Sequence, residues 1–195
     1  MDRDALTALW ERRWPGSMPI GHEIQERGGE RWVRFHSLPE SKRYPDDERE
    51  YAILLERHNT VLNGLFTGKE VYVLTPRWTE KPSVPRMRRD AKHWRTWFEP
   101  DEPDGADGAD GSEPECGTYW HSFVERQQWR PGCLDRLLRR VADEREYGVI
   151  VSDTGMRRLY HPYDGGADVY LTTTEERDRL KERHADWLSR YPGGW

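Results

Sequence analysis

A chain of 195 residues carrying 31 basic and 36 acidic side chains has the length of one domain and a net charge of only −5, too small to keep it unfolded. Val, Leu, Ile and Phe make up just 33 of the 195 residues, so ten Trp and nine Tyr must carry much of the core, and such side chains bury about 150–250 Å² each. No stretch approaches the roughly 18 apolar residues of a membrane helix, the opening "MDRDALTALWERRWPG" is too charged for a signal peptide, and Cys116 and Cys133 match no metal or redox spacing, so a cytoplasmic protein is expected.

In chain order, "DRDALTALWERRWP" reads as a first helix, with Leu6, Leu9, Trp10 and Trp14 at helical spacing and Pro15 as its stop. "MPIGHEIQERGGERWVRFHSL" reads as a hairpin, with strands near 19–25 and 31–37 and Gly28-Gly29 as the turn. In the second strand Val33 and Phe35 share one face and Trp32, Arg34 and His36 the other. Phe35 is therefore expected buried and Arg34 more exposed. Phe35→Ala should cost about 3–5 kcal/mol and Arg34→Ala far less.

Pro45, Asp46 and Asp47 open the clearest helix, in which Leu54, His58, Val61, Leu62 and Leu65 fall on one face before Gly68 stops it. "EVYVLTP" is a buried strand. The stretch 77–98 holds two prolines, Pro82 and Pro85, and its second half reads as a short helix or an irregular insert. Residues 99–115 carry eight acids, no base and no large apolar side chain, the composition of a disordered, solvated loop within the single domain 1–195. Setting those eight aside leaves 28 acids against 31 bases, a balance of +3.

Beyond it, "TYWHSFVERQQW" reads as a strand and "CLDRLLRRVADEREY" as an amphipathic helix. "GVIVSDTGMRRLYHPYDGGADVYLT" reads as two hairpins with turns at 153–155 and 164–166, and "TTEERDRLKERHADWLSRYP" closes the chain as a helix. Hairpins and separated helices without βαβ alternation predict an α+β fold: a mostly antiparallel sheet packed with about four helices.

Three places concentrate chemistry. Arg34, His36, Lys42 and Arg43 surround the exit of the 31–37 strand and suit an anion site, since Arg forks and helix N-termini favour anions. The Asp46-Asp47-Glu48 run already occupies that helix end, which favours a plain exit loop. "HPYDGGADVY" sets Asp164 and Asp168 around a glycine pair, the makings of a base or a cation site; Asp-Gly is equally a hairpin turn. His36, Asp164 and Asp168 are thus the catalytic candidates. The stretch 77–98 has seven bases and three Trp, and Arg86, Arg88, Arg89, Trp94 and Trp97 interleave as single-stranded nucleic acid or an acidic protein partner requires. The alternative is that Trp94 and Trp97 anchor to the core and the bases are solvated. His58, on an apolar helix face, reads as a hydrogen-bonded core residue. The seven histidines show no ligand spacing, so neither metal nor cofactor is expected. No phosphate loop or nucleophile elbow occurs.

The stretch 31–66 and the ending "YHPYDGGADVYL…HADWLSRYP" are similar to uncharacterised bacterial proteins, and the C-terminal part resembles the family catalogued as domain of unknown function 3885. Tyr163 and Asp164 match the first two positions of its Tyr-Asp-Asp-Arg-Gly motif, a glycine and Asp168 follow, and Trp187-Leu188 match its helix end. The loop is one residue shorter here and lacks the motif's Arg. The family has no assigned activity, so the resemblance implies no mechanism. The expectation is a non-enzymatic protein-binding protein, an immunity protein being one such type. Single-stranded nucleic-acid binding through 77–98, and an enzyme using His36 or the Asp164–Asp168 turn, remain the alternatives.

Overall fold

The computed structural model describes residues 2–27, 29–88, 90–101 and 117–188. Among these residues four helices flank one sheet of seven strands, every pairing antiparallel, so the α+β reading holds. The strands are β1 (Trp32–His36), β2 (Glu70–Thr79), β3 (Lys92–Pro100), β4 (Gly117–Gln128), β5 (Ile150–Asp153), β6 (Leu159–Tyr163) and β7 (Gly166–Tyr170). Their spatial order is β1-β7-β6-β5-β2-β4-β3.

The helices form where local chemistry starts and stops them. Asp2 caps α1 (Arg3–Arg13) by accepting from the Asp4 and Ala5 amides. Asp47 does the same for α2 (Glu48–Phe66), whose buried stripe Leu54, His58, Val61, Leu62, Leu65 and Phe66 repeats at helical spacing. Gly68, with φ of +74°, turns the chain after it. Thr173 caps α4 (Thr174–Arg183), and α3 (Asp135–Ala142) buries Leu138, Val141 and Ala142.

Two cores lie on opposite faces of the sheet. Helices α2, α3 and α4 cover Val33, Phe35, Val71, Val73, Val151 and Val169 on one side. Helix α1 and Ile24 cover Leu74, Trp94, Val124, Ile150 and Tyr170 on the other. Central strands are consequently buried on both faces, β7 along its whole length. Trp10 and Trp14 supply the second core and satisfy their polar edges: Trp10 Nε1 donates to the Ser17 carbonyl at 2.8 Å and Trp14 Nε1 to the Met156 carbonyl at 2.9 Å. Replacing either by Ala costs about 3–5 kcal/mol.

Two expected elements differ. The segment expected as a strand at 19–25 is instead a 3-10 helix, Gly21–Arg27, and β1 pairs with β7. Of the expected turn, Gly28 lies outside the described residues, and Gly29 opens a second short 3-10 turn. The second half of 77–98 is β3 rather than a helix: pairing with β4 overrides its local preference, with a bulge between His93 and Arg95. The acidic stretch 99–115 begins inside β3, since Glu99 and Pro100 are its last residues, and 102–116 lie outside the described residues.

Candidate functional site

A groove of about 590 Å³ opens where the sheet loses a strand. Strand β5 is short: it pairs with β2 only over residues 71–74 of β2 and with β6 only at Val151↔Tyr160 and Ser152↔Leu159. Beyond those pairs β2 and β6 run on with no strand of the described residues between them. Pro76, Arg77 and Trp78 line one side of the gap, and His161, Pro162, Tyr163 and Asp164 the other. The α3–β5 connection, Glu144 to Gly148, closes it, and the volume lies within the usual 300–1,000 Å³ range of ligand sites.

The floor is set by close backbone approach and by buried charge. Gly148 has φ of +63°, and a Cβ there would sit 2.6 Å from Ile20 Cγ2. Gly21 lies flat on His161, where a Cβ would be 1.9 Å from Nδ1. That nitrogen donates to the Val149 carbonyl at 2.9 Å, which leaves the lone pair on Nε2. Burial lowers the pKa of His161, partly opposed by that same hydrogen bond, so the ring is neutral at neutral pH. Glu146 is buried between two guanidinium groups, Arg77 at 2.6 Å and Arg140 at 3.0 Å. Removing one partner of such a group costs about 3–5 kcal/mol.

The rim is aromatic. Trp78 and Tyr147 both line the groove and each leaves 62% of its surface exposed. Trp120, further in, donates from Nε1 to Glu99 at 2.6 Å and meets His22 edge-on at 6.4 Å.

The two candidate stretches at 34–43 and 161–168 converge in space, in two separate ion pairs. Arg43 pairs with Asp164 at the groove, which raises the Arg43 pKa. Arg34 and Asp168 are register partners across β1 and β7, and the guanidinium grips the carboxylate in a fork, Nε to Oδ1 at 2.8 Å and Nη2 to Oδ2 at 3.0 Å. Arg34 is more exposed than Phe35, as expected, but its partner Asp168 is almost fully buried, so Arg34 is a structural cation rather than a solvated one. Lys42 is held by Asp46 at 2.7 Å and Glu50 at 2.6 Å, bonds that raise its pKa, and Asp47 fills the N-terminus of α2. His36 is half-buried, its Nε2 has no hydrogen-bond partner among the described residues, and burial, Arg34 and Arg57 lower its pKa.

The 77–98 candidates are not gathered at one point. Trp94 is buried edge-on against Trp10 and donates to Thr7 at 3.0 Å. Trp97 is half-buried under Arg95, Arg86 and Arg88 are exposed, and Arg89 lies outside the described residues. Elsewhere, His58 bridges Ser37 Oγ at 3.0 Å and the Tyr160 hydroxyl at 2.5 Å, all three buried. Trp120, Tyr147 and Glu146 are groove residues that sequence reasoning passed over, and Trp78 was noted only as one of the three Trp of 77–98. Their only signal was an aromatic amid charges, as in "EREYGV", and it does not distinguish a rim from a core anchor.

Among the described residues, no group of three or more His, Cys, Asp or Glu is placed to hold a metal ion, and no helix is long and apolar enough to cross a membrane. A family model described as Domain of unknown function (DUF3885) matches residues 20–192, far more than the C-terminal motif. No curated protein and no solved structure matches the chain.

Proposed function

The chain belongs to the DUF3885 family, and for it we propose a non-enzymatic role: binding a protein partner through the groove at the end of β2 and β6. The observation that carries this reading is the pair Trp78 and Tyr147, large aromatics left 62% exposed beside a ready-made concavity. Exposed aromatics of this size, next to arginines, are the residue types that dominate binding energy at protein interfaces. An enzymatic reading draws less support, because the carboxylates of Asp164 and Asp168 are each neutralised by an arginine. A cytoplasmic setting suits the exposed, free Cys133.

The test is affinity capture from the native host with the wild type and with Trp78→Ala/Tyr147→Ala, with and without nuclease. A protein retained by the wild type, lost by the double variant and insensitive to nuclease is the expected result. Identical captures by both proteins would refute the groove, and nuclease-sensitive capture would favour the nucleic-acid alternative. A toxin encoded beside the gene would be the first partner to try, as an immunity role requires.

A further inference from the structure

Resting on the reading of the groove as a protein-binding site, we propose that its occupant is an extended acidic segment of the partner, carrying an aromatic side chain for the Trp78–Tyr147 rim and a carboxylate for Arg145. The argument is the vertical order of the charges. Arg43 and Arg145 keep 62% and 68% of their side chains exposed, whereas the lining acids Asp164 and Glu146 keep 13% and 5%. A ligand entering the groove therefore meets guanidinium groups first. Glu144 is the exposed acid of the lining, and it already accepts from the Tyr44 hydroxyl at 3.0 Å. Arg145 is the least satisfied of these cations, its nearest carboxylate being Asp143 at 4.0 Å. Its guanidinium can donate two N–H groups to a ligand carboxylate at the expense of only that 4.0 Å contact.

The floor adds a second demand. His161 lines the groove and is buried, and its Nδ1 donates to Val149, so Nε2 is the acceptor of the neutral ring. Such an acceptor suits a ligand with an N–H or O–H donor, which a peptide main chain supplies at every residue but proline. A polyanion fits less well. The chain carries a net charge of −5, and most groove cations are already paired, so little counterion release is left to drive phosphate binding.

The test is selection from a random dodecapeptide phage library on the immobilised full chain, counter-selected on Trp78→Ala/Tyr147→Ala, followed by anisotropy of the labelled winning peptides. The expected winners combine at least one aromatic with an excess of Asp and Glu, bind about tenfold or more weakly to Arg145→Glu, and weaken with added salt. Basic or neutral winners, or winners indifferent to Arg145→Glu, would overturn the acidic segment yet leave the groove a protein site. Failure to enrich any peptide over the double variant would overturn the proposal too. Capture of a groove-dependent partner from the host would then still uphold the broader reading. Displacement of the winners by an equal concentration of oligothymidylate would overturn it in favour of nucleic acid.

Discussion

Acid should unfold this protein through His58 before the carboxylates act. The ring sits between Ser37 and Tyr160, and complete burial lowers its pKa from 6.5 to about 4. In the unfolded chain the same imidazole takes a proton near its ordinary value. The contribution to stability is therefore fully present above pH 6.5 and drains away as pH falls from 6.5 to about 4, where both states are protonated. A gap of 2.5 units between those two values is worth about 3 kcal/mol at 1.36 kcal/mol per unit, a large part of a stability of roughly 5–15 kcal/mol. His36, His93, His121, His161 and His184 are also lowered, each chiefly by burial, so the wild type alone cannot assign the loss. The assignment comes from His58→Asn, which cannot titrate. Urea unfolding followed by Trp fluorescence at pH 7.5, 6.5, 5.5 and 4.5 should show the variant less stable at pH 7.5, because hydrogen bonds are lost. Its deficit should shrink by about 2–3 kcal/mol by pH 4.5. Wild-type and variant stabilities that fall in parallel would refute a neutral buried His58.

Other expectations follow from named contacts. Phe35→Ala should cost about 3–5 kcal/mol in urea unfolding, and Arg34→Ala should cost a similar amount by stranding the buried Asp168. A double-mutant cycle with Asp168→Ala that shows no coupling would remove the ion-pair explanation. Gly21→Ala forces a Cβ to within 1.9 Å of His161 Nδ1 and should lower the melting temperature by the equivalent of about 1–3 kcal/mol; an unchanged melt would mean the segment shifts freely. Phosphate should give no dose-dependent rise in melting temperature, because Lys42 and the start of α2 are already occupied by Asp46, Asp47 and Glu50. A rise abolished by Lys42→Ala/Arg43→Ala would restore the anion site.

What the sequence determined by itself was local. The stripe from Leu54 to Leu65 marks α2 and its buried face because a helix repeats its neighbours every three or four residues. The alternation Trp32 to His36 places Val33 and Phe35 inward for the same kind of reason, and the Asp164-Gly165 pair marks the β6–β7 turn. Periodicity names a face but not its partner, and everything decided by partners came from the tertiary structure. Strand β1 pairs with β7, 134 residues away for Arg34 and Asp168, rather than with its chain neighbour at 19–25. That pairing turned a surface arginine and a catalytic candidate into one buried ion pair. Strand β3 exists because β4 lies beside it, whatever the local pattern of 92–100 prefers. The groove is the least local feature of all. It depends on β5 ending before β2 and β6 do, so that Trp78, Tyr147 and His161, from three distant segments, border a gap that none of them encodes alone.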